Sequence, residues 1–379
     1  MRKNKKIAII GRGNAGCLSA LHFSQYNKLN SNTYEVEMYF DPNIPAVPTG
    51  QGSTLEFPDL LFKCFSTNWY KKFPVTLKTG IMYENWGIKN KQFFHEFPFG
   101  RYSIHCTPKS FQDYVCSNLS LNFKEIKEHV INYDEIDADY IIDCRGTPKN
   151  LDSYLNLINP LNSALLAELP YKENDVNWTR CIATPNGWTF YIPLPDTTSV
   201  GYIYNKQITS KEEAETDFIN RFNISKINHA IEFNQYVAKH PILDKRIFLN
   251  GNKLFFLEPL EATAMGTYIN VNRFYHDVIN NVMNAEEAEK KVHQEITKVQ
   301  NFILFHYLKG SKFSSKFWNY AKNISSANMP KDVQQICLDT IFLEKKYIRE
   351  SSFTYAQWGL FSFENLIDGI DITQEDLIQ

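Results

Sequence analysis

No run of about 18 consecutive apolar residues occurs in this 379-residue chain, so no segment offers itself as a membrane-spanning helix. Net charge is also nearly absent. Forty Lys and Arg stand against 42 Asp and Glu, a formal charge of -2 that gives no reason to expect nucleic acid or an anionic membrane as partner. The seven cysteines include no CxxC pair, and their odd, scattered count reads neither as a disulfide framework nor as a zinc site. No metal is expected. Internal repeats and low-complexity tracts are missing too. The opening MRKNKK is basic, but the apolar run behind it stops at Gly11, too short for a secretory core, and reads better as a first strand. A cytoplasmic, reduced protein is the expectation.

What is present is an ordinary soluble composition, 43% hydrophobic and 22% charged, on a chain long enough for two or more structural units. Aromatic residues reach 15%, with 28 Phe and 21 Tyr, enough for both a core and an aromatic-lined pocket. Residues 6–41 read strand, glycine turn, helix, strand. Lys6–Ile10 is a buried parallel-strand run, GRGNAG (11–16) follows it, Ala15–Tyr26 has helical apolar spacing, and Tyr34–Phe40 alternates. In that order Gly11, Gly13, Ala15 and Gly16 form a pyrophosphate cradle, and Asp41 ends the second strand where a carboxylate accepts from an adenosine ribose. Alone, such a turn could bind nothing.

Segment 42–100, rich in Pro, Gly and aromatics, reads as loops packed over a cofactor. A short helix is expected over 109–120 and a buried strand over 138–146. Antiparallel strands are expected over 180–205, a helix over 210–222, and one strand over 246–257. Val292, Ile296, Val299, Ile303, Tyr307 and Leu308 recur at helical spacing. The fold class is thus α/β. A core over 1–275 has its cofactor part (about 1–60, 100–150, 245–275) interrupted by sheet and loop segments (about 60–100, 150–245), and 276–379 forms a helical covering region.

Four further stretches could carry chemistry: LKTGI (77–81), His95-Glu96-Phe97, GWTFYIPLP (187–195) and EPLEATAMG (258–266). Each has a plain reading. Lys78 could be solvated and His95 a satisfied histidine. The Trp188, Phe190, Ile192 alternation could be one face of a buried strand, and Glu258 and Glu261 could be carboxylates near a helix N-terminus.

Taken together with GYIYN (201–205) and FILFHYLKGSKFSSKFW (302–318), these stretches resemble the flavin-dependent halogenases of the tryptophan-halogenase type, in order and approximate spacing, from residue 6 to about 369. The resemblance implies an FAD-binding, flavin-monooxygenase-like fold. It implies reduced FAD (FADH2) supplied by a separate NAD(P)H-dependent flavin reductase, and a halide oxidised to hypohalous acid. That oxidant would travel through an internal tunnel to an electron-rich aromatic substrate. Lys78 aligns with the lysine that engages hypohalous acid, and Glu261 with the glutamate that stabilises the ring cation and accepts its proton. Thr263 and the N–H of Ala264 align with the halide pocket. His95 and Phe97 align with a substrate-stacking His-x-Phe pair, Phe97-Pro98-Phe99 being the equal alternative. Trp188, Phe190, Ile192 and Pro193 align with a wall between flavin and substrate.

Departures from the pattern are Phe190 in place of a second tryptophan, Ala264 in place of glycine, and Gln51 or Gly52 where the glycine-rich loop has an acid. Asp41 lies one position off the ribose acid, and the chain is shorter than typical members. The last suggests a more open site and a substrate other than free tryptophan, with Trp358 as a further lining candidate. Chloride, bromide and iodide all stay open, as does a homo-oligomer. The competing readings are an FAD-dependent aromatic hydroxylase and a non-catalytic flavin-binding protein.

Overall fold

The computed structural model describes residues 4–377 apart from 31–33, 48, 66–67, 174 and 343–352. Ile7, Ala8, Ile9 and Ile10 are all buried, so the strand Lys5–Ile10 needs cover on both faces and takes the middle of a sheet. Tyr34–Phe40 and Tyr140–Asp143 flank it, both parallel to it. The six-stranded sheet extends to Phe123–Lys127 on one side. On the other it extends to Ile247–Leu249 and the antiparallel edge Ile242–Leu243.

The glycine turn connects the first strand to the helix Asn14–Asn30, and its three glycines meet three different demands. Gly11 has φ +107°, and a Cβ there would lie 2.8 Å from the Cys144 carbonyl oxygen. At Gly16 a Cβ would lie 1.9 Å from the Gly11 oxygen, so the helix packs on the turn only without a side chain. A Cβ on Gly13 would meet nothing within 4 Å.

A second sheet of seven strands runs His229–Glu232, Ser163–Pro170, Thr197–Tyr204, Gly187–Pro193, Thr179–Thr184, Gly80–Glu84, Gln92–Glu96. Pairing is antiparallel except between Thr179–Thr184 and Gly80–Glu84. Its register sets Phe93, Tyr83, Cys181, Phe190 and Gly201 in one row, hence on one face. His95 and Ile81, and Trp188 and Ile192, sit two positions along their strands and share that face.

A small antiparallel sheet joins Gln51–Gly52 and Thr76–Lys78 to the two edges of Ser103–Cys106. The helix Thr263–Ile279 packs against Asn14–Asn30 and Ala285–His306. In the latter helix Val292, Ile296, Val299 and Ile303 are buried, as their spacing predicts. No described helix is long and apolar enough to cross a membrane, and all seven cysteines are free.

Two expectations are corrected. Segment 42–100 is not merely loop. It holds the helix Glu56–Cys64, whose Phe57, Leu60 and Leu61 are buried, and the strands Thr76–Lys78, Gly80–Glu84 and Gln92–Glu96. Segment 246–257 is not one strand. Gly251, at φ +63° with its Cα facing Ala15, turns the chain between Ile247–Leu249 and Phe255–Phe256.

The turn can be tested through its glycines. Gly16→Ala should lower unfolding free energy by about 3 kcal/mol, because backbone must move to admit the methyl. Gly13→Ala should match the parent or gain a few tenths of a kcal/mol. Urea unfolding of both variants decides, and equal midpoints would refute the packing argument.

Candidate active site

Lys78 ends the strand Thr76–Lys78, paired opposite Ser103, and this register turns its side chain inward to 1% exposure. Its Nζ donates to the Ser53 carbonyl at 3.1 Å and lies 5.4 Å from the centre of the Phe97 ring. A Cβ at Gly52 would come within 3.1 Å of Nζ, so glycine there keeps the ammonium's space open. Burial pushes the lysine pKa down from 10.5 to about 8, with the Glu261 carboxylate and Cys181 acting the other way.

Glu261 arrives on a strained turn. Glu261 (φ 65°, ψ 6°) and Ala262 (φ 57°, ψ 33°) are both left-handed without being glycine. Such residues cost on the order of 1 kcal/mol each and persist where the surroundings hold them. What holds Glu261 is a ring of donors. Oε1 takes the Tyr83 hydroxyl in a short hydrogen bond and lies 3.0 Å from His95 Nδ1 and 3.2 Å from His306 Nε2. Oε2 accepts from Trp358 Nε1 at 3.3 Å. Burial alone would raise this carboxyl's pKa. The two histidines outweigh it and hold the group well below the usual carboxylate range.

The helix Thr263–Ile279 starts directly after this turn, and no side chain caps it. Left-handed Ala262 followed by right-handed Thr263 turns successive N–H groups toward one point at the positive end of the helix. Thr263 is buried and Ala264 half-buried, so the backbone there can hold a small anion out of bulk water.

The aromatic wall stands on the shared sheet face. Trp188 is buried and lies 6.4 Å from Phe190 and 6.3 Å from Trp86, centre to centre. Its Nε1 donates to Glu258 Oε2 at 3.0 Å. Glu258, fully buried, also accepts from Asn159 at 2.6 Å and from the Tyr307 hydroxyl. Burial raises its pKa to about 7 against the pull of those three donors. Phe190 covers Gly201, where a Cβ would come within 2.3 Å of the ring. Pro193 accepts from Thr76 Oγ1 at 2.6 Å, tying the wall strand to the lysine strand. Every residue of Gly187–Pro193 is buried, so Trp188, Phe190 and Ile192 form one face of a strand covered on both sides.

The structure therefore gathers Lys78 with Phe97 and His95 with Glu261, and brings Lys78 within electrostatic reach of Glu261. Gly11, Gly13, Ala15 and Gly16 surround the end of the first parallel strand. The open space over Gly13, beside the start of the helix Asn14–Asn30, fits a dinucleotide pyrophosphate. Asp41 stands at the exposed end of its strand. Its Oδ1 accepts from the Asn43 N–H at 2.9 Å and from Asn43 Nδ2 at 3.0 Å, and Oδ2 faces His129 Nδ1 at 3.2 Å, which leaves acceptor capacity on Oδ2. The Phe99 side chain lies outside the described residues.

Sequence reasoning passed over Tyr83, His306 and the anchoring role of Glu258. Tyr83 lies two residues beyond LKTGI (77–81), while His306 and Glu258 lie inside FILFHYLKGSKFSSKFW and EPLEATAMG. Trp358, offered as a lining residue, bonds Glu261 and stacks on Phe302 at 4.0 Å.

The family model described as tryptophan halogenase matches residues 6–133 and 122–367. The tryptophan 7-halogenase RebH of Lentzea aerocolonigenes is 23% identical over 214 residues, covering 51% of this chain and 39% of that protein. The matched stretch thus spans well under half the length of that curated relative. Among solved structures, MibH, a lanthipeptide tryptophan 5-halogenase, superposes with TM-score 0.81 at 15% identity, over 99% of this chain and 89% of that one. A tryptophan halogenase from Shewanella frigidimarina gives 0.79 at 16% identity, over 97% and 89%. At these identities the structures establish a common fold.

Lys78 also makes a stability prediction. With a pKa of about 8 folded and 10.5 as the ordinary value, the unfolded chain binds the extra proton between those pH values, and stability rises with pH across that window. At pH 7 the full penalty, roughly 3 kcal/mol, is present. Lys78→Met should raise stability at pH 7 by about 1–3 kcal/mol after loss of the hydrogen bond to Ser53. The gain should shrink toward pH 10. Melts at the two pH values check it, and a destabilised variant at pH 7 would overturn it.

Proposed function

The chain belongs to the tryptophan halogenase family, and from that premise we propose that it is a flavin-dependent halogenase acting on an electron-rich aromatic ring of the indole or phenol kind. The observation that carries the reading is the burial of Lys78 and Glu261 within electrostatic reach of each other, with Glu261 two residues before an uncapped helix N-terminus and the lysine strand tied to the aromatic wall strand through Thr76 and Pro193. Reduced FAD with oxygen supplies, when bound, the oxidising power that turns halide into hypohalous acid.

This chain's own residues do the rest. Gly11, Gly13, Ala15 and Gly16 admit the pyrophosphate, and Asp41 accepts from the ribose. Thr263 and the Ala264 N–H hold chloride, bromide or iodide. Trp188, Phe190, Ile192 and Pro193 keep the arene from the cofactor, so that halide is oxidised in its place. Lys78 receives hypohalous acid, and its ammonium hydrogen-bonds the oxygen and makes the halogen more electrophilic. Glu261 faces the ring cation as a fixed negative charge and takes its proton. With His95 committed to Glu261, Phe97 beside Lys78 offers the stacking face.

Cofactor binding falls to about 1–60, 100–150 and 245–275, and substrate cover to 276–379. A separate NAD(P)H-dependent reductase supplies the reduced flavin. Seven free thiols suit the reducing cytoplasm.

The test supplies FAD, a flavin reductase, NADH and each halide in turn, with indole, phenol and aniline, and follows products by mass spectrometry. Halogenated product is expected from the parent, with a loss of at least about 100-fold in Lys78→Ala while NADH oxidation continues. Oxygenated product formed without halide would replace this reading with a hydroxylase.

A further inference from the structure

Three heavy atoms meet in a triangle behind the candidate catalytic carboxylate: Glu261 Oε1, the Tyr83 hydroxyl oxygen and His306 Nε2. The hydroxyl lies 3.1 Å from His306 Nε2, and the carboxylate oxygen 3.2 Å from it. The histidine's tautomer is fixed from its far side. Nδ1 lies 2.8 Å from the Phe302 carbonyl, which only accepts, so Nδ1 carries the hydrogen. In the neutral ring Nε2 then presents a lone pair. A lone pair facing a carboxylate oxygen at this distance is repulsive unless a proton sits between them. Tyr83 has one hydroxyl proton for two acceptors. The triangle therefore has a place for one proton more than a bare carboxylate and a phenol carry.

No water competes for that place. Tyr83 and His306 are fully buried and Glu261 is 7% exposed. Phe93 stacks on the Tyr83 ring at 4.8 Å, Trp86 meets it edge-on at 5.5 Å, and Phe302 closes on His306 at 5.1 Å. A proton taken up by Glu261 has no direct way to solvent, and a carboxylate already accepting from several donors is a poor final resting place for it.

We propose that Tyr83 and His306 form a proton relay behind Glu261, which takes the ring proton during halogenation and returns it at the end of the turnover. This rests on the reading of the site as a halogenase centre. The atoms balance as follows. The ring carbon bonds to the halogen, the halogen–oxygen bond breaks, and its electron pair leaves on oxygen. Lys78 gives that oxygen a proton to make water. The ring cation then loses its proton to Glu261. Tyr83 passes its own proton to His306 Nε2 and takes the one on Glu261, leaving an imidazolium beside a restored carboxylate. Reversal of the relay brings the proton back to Glu261 and so to the neutral Lys78. The sum is arene plus hypohalous acid giving haloarene plus water. Tyr83 and His306 touch neither substrate nor oxidant; they are positioning and relay residues.

Tyr83→Phe keeps the stacked ring and removes only the hydroxyl. Single-turnover halogenation is compared with ring-protiated and ring-deuterated indole, phenol and aniline, while taurine traps free hypohalous acid and flavin reoxidation is followed. The parent should show an isotope effect near unity. Tyr83→Phe and His306→Gln should halogenate at least about tenfold more slowly and show a normal primary isotope effect, with taurine trapping and flavin reoxidation unchanged. A loss from mere misfolding would not create an isotope effect. Parental rates with an effect near unity in Tyr83→Phe would overturn the relay.

15N NMR of histidine-labelled protein tests the same triangle without substrate. His306 should carry its hydrogen on Nδ1, with Nε2 hydrogen-bonded within the triangle in the parent and its 15N resonance displaced in Glu261→Gln. The opposite tautomer overturns the proposal. Absence of trapped hypohalous acid and of any haloarene from the parent would defeat the halogenase reading, and the relay with it.

Discussion

One buried carboxylate, Glu261, must be met by side chains from three separate parts of the chain. Tyr83 and His95 come from adjacent strands of the seven-stranded sheet, His306 from the end of the helix Ala285–His306, and Trp358 from the turn before the last helix. A carboxylate left unpaired at this depth would cost several kcal/mol. Sheet, long helix and C-terminal segment are thus held to a common point. The left-handed conformations of Glu261 and Ala262 are intelligible in the same terms. Their strain is small beside the cost of an unmet charge, and it leaves the next N–H groups converging at the mouth of the Thr263 helix.

From this point the chemistry follows by period-two geometry. Tyr83, Cys181 and Phe190 are direct neighbours across three strands, and His95 and Trp188 share their face. One side of one sheet therefore presents the donors to Glu261 at one end and the aromatic wall at the other. Lys78 belongs to a different, smaller sheet, and the hydrogen bond from Thr76 to Pro193 stitches the two together. The lysine is thereby fixed relative to the wall by backbone as well as by its own contact to Ser53.

Local signals were legible in the chain. The apolar run before GRGNAG, the alternation of 34–40 and the spacing of Val292, Ile296, Val299 and Ile303 each report a single element's burial, which sequence encodes directly. Glycine at 251 breaking 246–257 was not legible, because its turn answers to Ala15, more than 200 residues away. Tyr83 and His306 were invisible as a pair for the same reason. They stand 223 residues apart and become neighbours only through a parallel strand pairing and the descent of a helix onto the sheet face. A tyrosine in a strand and a histidine ending an apolar helix both read as core until the carboxylate between them is placed.

The substitution of Phe190 for a second tryptophan shows how a wall survives the loss of a large residue. Phe190 covers Gly201, and the space a side chain at 201 would fill is taken by the ring itself. Trp188, the tryptophan that remains, is not held by packing alone. Its indole N–H is tied to Glu258, which Tyr307 and Asn159 hold in turn, and Trp86 and Trp318 close behind it. Glu258 and Glu261 are three residues apart in EPLE; one holds Trp188 of the wall, and the other is the carboxylate proposed to face the reacting ring. The spacing puts the anchor of Trp188 and the donor-ringed carboxylate on one turn. A shift in that turn would move both together, so in the proposed halogenase the separation of oxidant from substrate and the reach of the base would answer to the same few residues.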